Sequence, residues 1–196
     1  MQSEDQIIIQ IASPAHAAYA EFICSLYAES AKERGTGIAE RQPAYVKAKI
    51  LKGDAVVAME GDQLAGFCYI ETWSHGQYVA NSGLIIAPEY RRKGLARRLK
   101  QQVFALSRDK YPSARVFGIT TSLAVMRINS DLGYKPVTFS ELTQDQAFWD
   151  GCKSCPNFDI LHRNERKLCL CTAMLAPSKE EAMALDLSDQ IVVKQP

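Results

Sequence analysis

The richest chemistry in this 196-residue chain lies in one short window, Gly83-Leu-Ile-Ile-Ala-Pro88-Glu-Tyr90-Arg91-Arg92-Lys93-Gly94-Leu95-Ala96-Arg-Arg-Leu99. An apolar, β-rich run leads into a basic, glycine-containing turn. The turn opens a helix whose apolar residues recur at 95, 99, 103 and 106. A helix N-terminus offers unpaired backbone N–H groups and about half a positive charge, which suits phosphate oxygens. Gly94 and Ala96 carry almost no side chain, so a pyrophosphate can approach the backbone closely. Residues 91–100 hold six basic side chains and no acid, adding field for a polyanion. Neither the G-x-G-x-x-G spacing of a dinucleotide site nor a Walker A lysine pattern is present.

The elements that must position this window follow from periodicity and punctuation. Gln6 to Ile11 reads as a first strand, and Ser13-Pro14 opens a helix running through Ala15 to Ala31. Arg34-Gly35-Thr36-Gly37 breaks that helix, and a second spans Pro43 to Lys52. Ala55 to Met59 and Leu64 to Trp73 form a hairpin about Gly61-Asp62-Gln63. After Ser74-His75-Gly76 a further strand spans Tyr78 to Ala87 and feeds the window. Beyond its helix come a strand (Arg115 to Thr121), a helix (Leu123 to Leu132) and a strand (Tyr134 to Phe139). A helical turn at Gln146 to Trp149 and a last strand at Arg166 to Leu175 follow. The expectation is a mixed α/β (α+β) domain over 1–176, with one dominant, mostly antiparallel sheet flanked by helices, and a polar tail over 177–196.

Composition bounds the function. The chain is 47% hydrophobic and 23% charged, with 23 basic against 22 acidic residues and a net charge of +1. That balance excludes a uniformly basic nucleic-acid coat, and no apolar run approaches the 18 or so residues of a membrane span. The chain starts with acids where a secretory signal carries Lys or Arg, so it reads as a cytoplasmic protein. A homodimer stays open.

The window resembles the acyl-CoA signature of the GNAT superfamily of N-acetyltransferases. Arg91, Gly94 and Ala96 match its pattern of Arg or Gln, two residues, Gly, one residue, Gly or Ala, after a Pro88-x-Tyr90 lead-in. The resemblance runs from about residue 6 to 140 and implies acetyl-CoA as co-substrate. It implies that the strand before the signature splays from its neighbour, with Leu84, Ile85 and Ile86 pairing with the pantetheine arm. Arg91 and the N–H groups of Arg92, Lys93, Gly94, Leu95 and Ala96 would take the pyrophosphate. Acyl transfer to an amine needs a proton acceptor, a donor for the thioester oxygen and an acid for the leaving thiolate. Many members carry a Glu where Ala80 stands here, and a Tyr acid where Asn129 stands. The base is therefore expected at Glu71 or His75. Ser122 is expected as a proton donor, with a strand-end cap as its duller alternative, and Asn129 joins the cofactor-binding set.

A second stretch, Gly118-Ile-Thr120-Thr121-Ser122 through Leu132-Gly133-Tyr134-Lys-Pro-Val137, is similar to short N-acetylglutamate synthases. Phe148-Trp149-Asp-Gly-Cys152-Lys-Ser-Cys155 and Cys169-Leu-Cys171 continue that likeness. It implies glutamate as the amine, with Thr120 and Thr121 lining the acceptor cleft. Arg34, Arg41 and Arg127 would hold its carboxylates, since arginine forks match carboxylates bidentately. A polyamine, an aminoglycoside, a protein N-terminus or a non-catalytic acyl-CoA sensor are the alternatives.

Four cysteines, 152, 155, 169 and 171, have spacing that a tetrahedral zinc could use, with His162 as a spare ligand. The second pair lacks the usual two-residue knuckle, and strand cysteines are often buried filler. Core thiols are the preferred reading, with Cys169 and Cys171 on one face of the last strand. Cys24 and Cys68 read as small core residues.

Overall fold

The computed structural model describes residues 7–35 and 38–192. Strands β1 (Ile8–Ile11), β2 (Ala55–Glu60), β3 (Gln63–Trp73), β4 (Tyr78–Ile86), β5 (Arg115–Thr120), β6 (Lys135–Val137) and β7 (Thr172–Ala176) form one sheet. Its order is β1-β2-β3-β4-β5-β7-β6, and only the β4–β5 pair is parallel. The helices are α1 (Ala20–Arg34), α2 (Pro43–Leu51), α3 (Leu95–Lys110), α4 (Leu123–Asp131), α5 (Gln146–Asp150), α6 (Phe158–Arg163) and α7 (Lys179–Val192). None among the described residues is long and apolar enough to cross a membrane.

Local chemistry accounts for most of these elements. Ser13-Pro14 opens a 3₁₀ turn over Pro14–Tyr19 that runs into α1, and Gly35, at φ +66, closes α1 with its N–H on Ala31 O. Leu95, Leu99 and Val103 of α3 are buried as the stripe predicts. In β3, a Cβ on Gly66 would lie 2.7 Å from Leu99 Cδ1, so the glycine lets α3 lie close against the sheet. Side chains of Tyr69, Glu71 and Trp73 alternate to the opposite face, where α1 and α2 pack. Ser178 and Glu181 cap α7 reciprocally, and Glu181 pairs with Arg115 at 2.7 Å.

Two local features shape the middle of the sheet. Between Phe67↔Ile85 and Tyr69↔Ser82 the register slips by one residue, a bulge at Gly83-Leu84. Gly83 sits at φ +66, and Tyr27 of α1 donates its hydroxyl to the Gly83 carbonyl. The second feature is a fork. β4 pairs with β5 only at Tyr78↔Arg115, Val79↔Val116 and Ala80↔Phe117. Beyond Ala80, β4 pairs with β3 alone, and Gly118–Thr120 of β5 pair with β7 alone. The splayed strand that the resemblance implied is present.

The last strand differs from the sequence expectation. It begins at Thr172, and Cys169 and Cys171 precede it in irregular chain. Glu165 and Arg166 adopt left-handed backbone at φ 51 and 63, which breaks an extended run from 166. Thr36 and Gly37 of the expected helix-breaking loop, and Gln6 of the first strand, lie outside the described residues.

The bulge yields a direct test. A Cβ on Gly83 would lie 2.2 Å from the Tyr69 ring and 2.5 Å from the Tyr27 hydroxyl oxygen, at a left-handed φ. Gly83→Ala should cost roughly 2 kcal/mol or more and lower Tm by several degrees. An unchanged melting curve would show that the bulge relaxes freely.

Candidate active site

A cleft of about 940 Å³ follows the fork and continues to the loop that opens α3. Along one wall run Leu84, Ile85 and Ile86 on the β4 edge freed by the divergence from β5. At its end lies the loop. Gly94 is the N-cap of α3 at φ +74, with no side chain to cap the helix, and Arg92 stands at φ 65. Among the described residues, no backbone carbonyl accepts from the N–H groups of residues 92–96. A Cβ on Gly94 would meet nothing within 4 Å, so the backbone faces open cleft. Arg91 donates to Ile86 O at 3.3 Å and pairs with Glu33 of α1 at 2.8 Å, which fixes the loop. Lys93 does not line the cleft; its ammonium lies 5.3 Å from the Tyr90 ring centroid.

At the vertex of the fork a buried polar network joins three elements. Asn81 follows the last β4–β5 pair; its Nδ2 donates to Ser107 Oγ of α3 at 2.7 Å. Tyr134, just after α4, donates its hydroxyl to Asn81 Oδ1 at 2.9 Å. Beside it Asn129, 1% exposed, gives its Nδ2 to Met174 Sδ at 3.7 Å and leaves Oδ1 without a partner among the described residues. A buried acceptor left unpaired is costly, and an amide N–H from an arm lying in the fork would satisfy it.

The face of β3 toward α1 and α2 builds the opposite wall. Glu71 pairs across the strands with Ala80, so both side chains share that face with Cβ atoms about 5 Å apart. Tyr45 of α2 donates its hydroxyl to Glu71, and Lys49, one helical turn on, lies 3.9 Å from the carboxylate. Burial lowers the Lys49 ammonium and raises the Tyr45 phenol, whose carboxylate neighbour raises it further. Arg41 stacks 4.6 Å from the Tyr27 ring centroid and donates to Tyr69 Oη at 2.9 Å and to Ala39 O at 2.6 Å. Burial pushes the Tyr69 phenol up to about 12, against the pull of Arg41.

The structure also sorts the other expected residues. His75 leaves the site: it is exposed on the β3–β4 turn at φ 53 and does not line the cleft. The turn is anchored instead by Ser74, whose N–H bonds Asp145 and whose Oγ lies 2.8 Å from Thr143 Oγ1. Thr120, Thr121 and Ser122 reach the cleft. Ser122 Oγ caps α4 by accepting the Val125 N–H at 3.4 Å, and Thr120 Oγ1 accepts the Ser122 N–H at 3.0 Å. Arg34 lines the mouth and is exposed. Arg127 lines the cleft one turn before Asp131, which pairs with Arg97 of α3 at 2.6 Å, so it stands on the α3 side of the wedge. Tyr45, Lys49 and Tyr69 were missed. The helical spacing of 45 and 49, and the alternation of 69 with 71, are the signals that could have found them.

The four C-terminal cysteines border the far end of the cleft, all half-buried. Burial, then neighbouring thiols, pushes Cys152 up to about 11 and Cys171 up to about 12, so both stay protonated near neutral pH. Among the described residues no group of three or more His, Cys, Asp or Glu is arranged to hold a metal ion. His162 is exposed and stacks on Phe158.

A forked sheet whose free strand edge leads to an open helix start is an arrangement that can seat an acyl-CoA thioester. The acetyltransferase (GNAT) family pattern matches residues 20–124, and the chain belongs to that family. No curated protein matches the chain. Among solved structures it is similar to N-acetylglutamate synthase from Neisseria gonorrhoeae complexed with coenzyme A and N-acetyl-glutamate, at TM-score 0.64 and 16% identity. That match covers 90% of this chain but 36% of the synthase, so the chain spans about a third of that protein. It is also similar to phosphinothricin acetyltransferase from Sinorhizobium meliloti in complex with acetyl-CoA, at TM-score 0.60 and 16% identity, covering 89% of each chain. The ribosomal-protein-S18-alanine N-acetyltransferase from Escherichia coli matches at TM-score 0.56 and 11% identity, over 88% of this chain and 94% of that one.

The loop geometry sets a test of cofactor binding. Gly94→Val should weaken acetyl-CoA binding at least tenfold in calorimetry, because the side chain fills the space a pyrophosphate would use. The fold should survive with a loss of Tm of several degrees, because a valine at φ +74 is strained although its side chain meets open space. Normal binding by a folded Gly94→Val protein would remove the loop from the cofactor site.

Proposed function

We propose that the protein moves the acetyl group of acetyl-CoA to the α-amino group of a small amino acid, L-glutamate before others, in the arginine biosynthesis of the cytoplasm. The observation that carries this reading is the Glu71 wall: one carboxylate held beside Lys49, with Arg41 fixed on Tyr27 and Tyr69 nearby. Such a wall complements a zwitterion, with the acceptor's ammonium drawn to Glu71 and its carboxylates to the cations. The likeness to a synthase complexed with N-acetyl-glutamate supports the same choice.

Acetyl-CoA supplies an activated acyl carbon; the rest falls to the chain. Glu71 takes a proton from the acceptor's ammonium, directly or through one water, and Tyr45 holds its carboxylate in place. The freed edge at Leu84 to Ile86 and the N–H groups of residues 92–96 hold the donor so that its carbonyl lies at the vertex. The aromatic wall of Trp73, Phe148 and Trp149 favours a second reading, an acceptor with an aromatic side chain.

Free-thiol release with acetyl-CoA across the twenty amino acids, a polyamine and an arylamine should be fastest with glutamate. Ready turnover of the amines with none on millimolar glutamate would end the substrate assignment. Binding of acetyl-CoA without thiol release on any amine would make the protein a sensor. Independently of the acceptor, Glu71→Gln should lower kcat by roughly 10²–10⁴ and leave acetyl-CoA affinity unchanged. A variant with full kcat would move the base elsewhere.

A further inference from the structure

The inward face of α3 carries one charged residue that its apolar stripe does not explain. Lys100 is 2% exposed among Leu99, Val103 and Phe104, and it borders the cleft. No carboxylate lies within ion-pair distance of it among the described residues. Its ammonium lies 5.3 Å from the ring centroid of Tyr134, the residue that bonds Asn81 at the vertex of the fork. The titratable groups facing it are the Cys68 thiol of β3 and the Tyr134 phenol. Burial pushes the thiol up to about 11 and the phenol well above its ordinary value, so neither supplies an anion near neutral pH.

Burying an ammonium without a counter-charge is expensive, and a leucine at this helix position would carry no such cost. The missing anion must therefore come from what enters the cleft. The phosphates do not fit that role, because their site is the helix start, more than one turn away from Lys100. The other anion of the reaction arises at the vertex, where the thioester breaks.

We propose that Lys100 is the cation that stabilises and protonates the sulfur of coenzyme A as it leaves, in place of the tyrosine acid that the family often carries where Asn129 stands. The inference goes beyond the choice of acceptor and holds for any amine. The acceptor's ammonium loses one proton through Glu71 before attack and a second as the amide forms. Its nitrogen lone pair makes the C–N bond while the C–S bond breaks with its electron pair on sulfur. Lys100 gives that sulfur a proton and is reprotonated from solvent, so one proton is released per turnover. Desolvation lowers Lys100 from the ordinary lysine range, so the ammonium parts with its proton more readily.

The test titrates the thiol of coenzyme A bound to the intact protein, followed by the ultraviolet absorbance of the thiolate. In the wild type it should titrate at least about one pH unit below the ordinary thiol value of about 8.5. Lys100→Met, which keeps the volume and removes a buried charge, should fold with an equal or higher Tm. Its bound thiol should titrate at or above the ordinary value, and kcat should fall roughly 10²-fold with KM for acetyl-CoA little changed. An undepressed thiol in the wild type, or the same thiol titration and kcat in both proteins, would overturn the assignment. So would a stoichiometric acetyl group on Lys100 by intact mass, which would mark a neutral, nucleophilic amine. Failure to bind coenzyme A at all would instead fall on the cofactor assignment, and this inference would go with it.

Discussion

The parting of β4 and β5 after Ala80 and Phe117 is the constraint on which the site depends. Two parallel strands that stop pairing leave N–H and C=O groups exposed, and a native sheet tolerates that only where something else meets them. Several features prevent the strands from closing. Gly83 adds a residue to β4 at a left-handed φ, and Tyr27 holds the bulged carbonyl from one face. From the other face, Ser107 and Tyr134 hold the Asn81 side chain. β7 takes the far edge of Gly118–Thr120, so β5 is held away without covering its near edge. The unpaired edge is then a template for an extended ligand with amides of its own, which is the form of the pantetheine arm.

The basic run at 91–100 serves two purposes that its composition does not separate. Arg91 holds Glu33 of α1, Arg97 holds Asp131 of α4, and Arg98 donates to Ile7 O at 3.0 Å. Exposed pairs of this kind contribute about 0–1 kcal/mol each, so their effect is to set where the neighbouring elements lie around the loop. What remains at the loop for the phosphates of the proposed donor is the backbone of residues 92–96 and the side chains of Arg92 and Lys93. An anion held there would meet mainly peptide dipoles, which cost no side-chain entropy to orient.

Much of this was legible in the sequence, and the losses have physical causes. The strand–turn–helix window, the hairpin and the stripe of α3 rest on local periodicity, and all appear where the residues put them. The alternation through Leu168, Cys169, Leu170 and Cys171 imitates a strand, yet Leu168 and Leu170 are 60% and 59% exposed and the chain turns there. Only the left-handed backbone at Glu165 and Arg166 distinguishes the two, and neither residue type announces it. His75 was expected in the cleft beside Glu71, but it sits within the turn that follows β3 and is exposed. The three-residue length of the β4–β5 pairing is non-local and leaves no mark in either strand alone.

Ala80 and Asn129, the two positions where the family pattern fails, have neighbours in space that can take over their tasks. In an antiparallel pair the residue directly opposite stands closer than the next residue on the same face of the same strand. A carboxylate can therefore pass from position 80 to Glu71 with little change in what it reaches, and the alanine methyl clears room for the acceptor. Across the wedge, Lys100 of α3 faces the space beside Asn129 of α4. In the proposed reaction these two moves place the proton acceptor and the proton donor on opposite faces of the sheet, Glu71 towards α2 and Lys100 among the packing of α3. Glu71 and Lys100 are thus separated by a layer of backbone, and a direct ion pair between them, which would neutralise both, cannot form. The fork opens that layer where the β4–β5 pairing ends. In the proposed reaction the thioester spans it, so the amine loses its proton on one face while the sulfur gains one on the other.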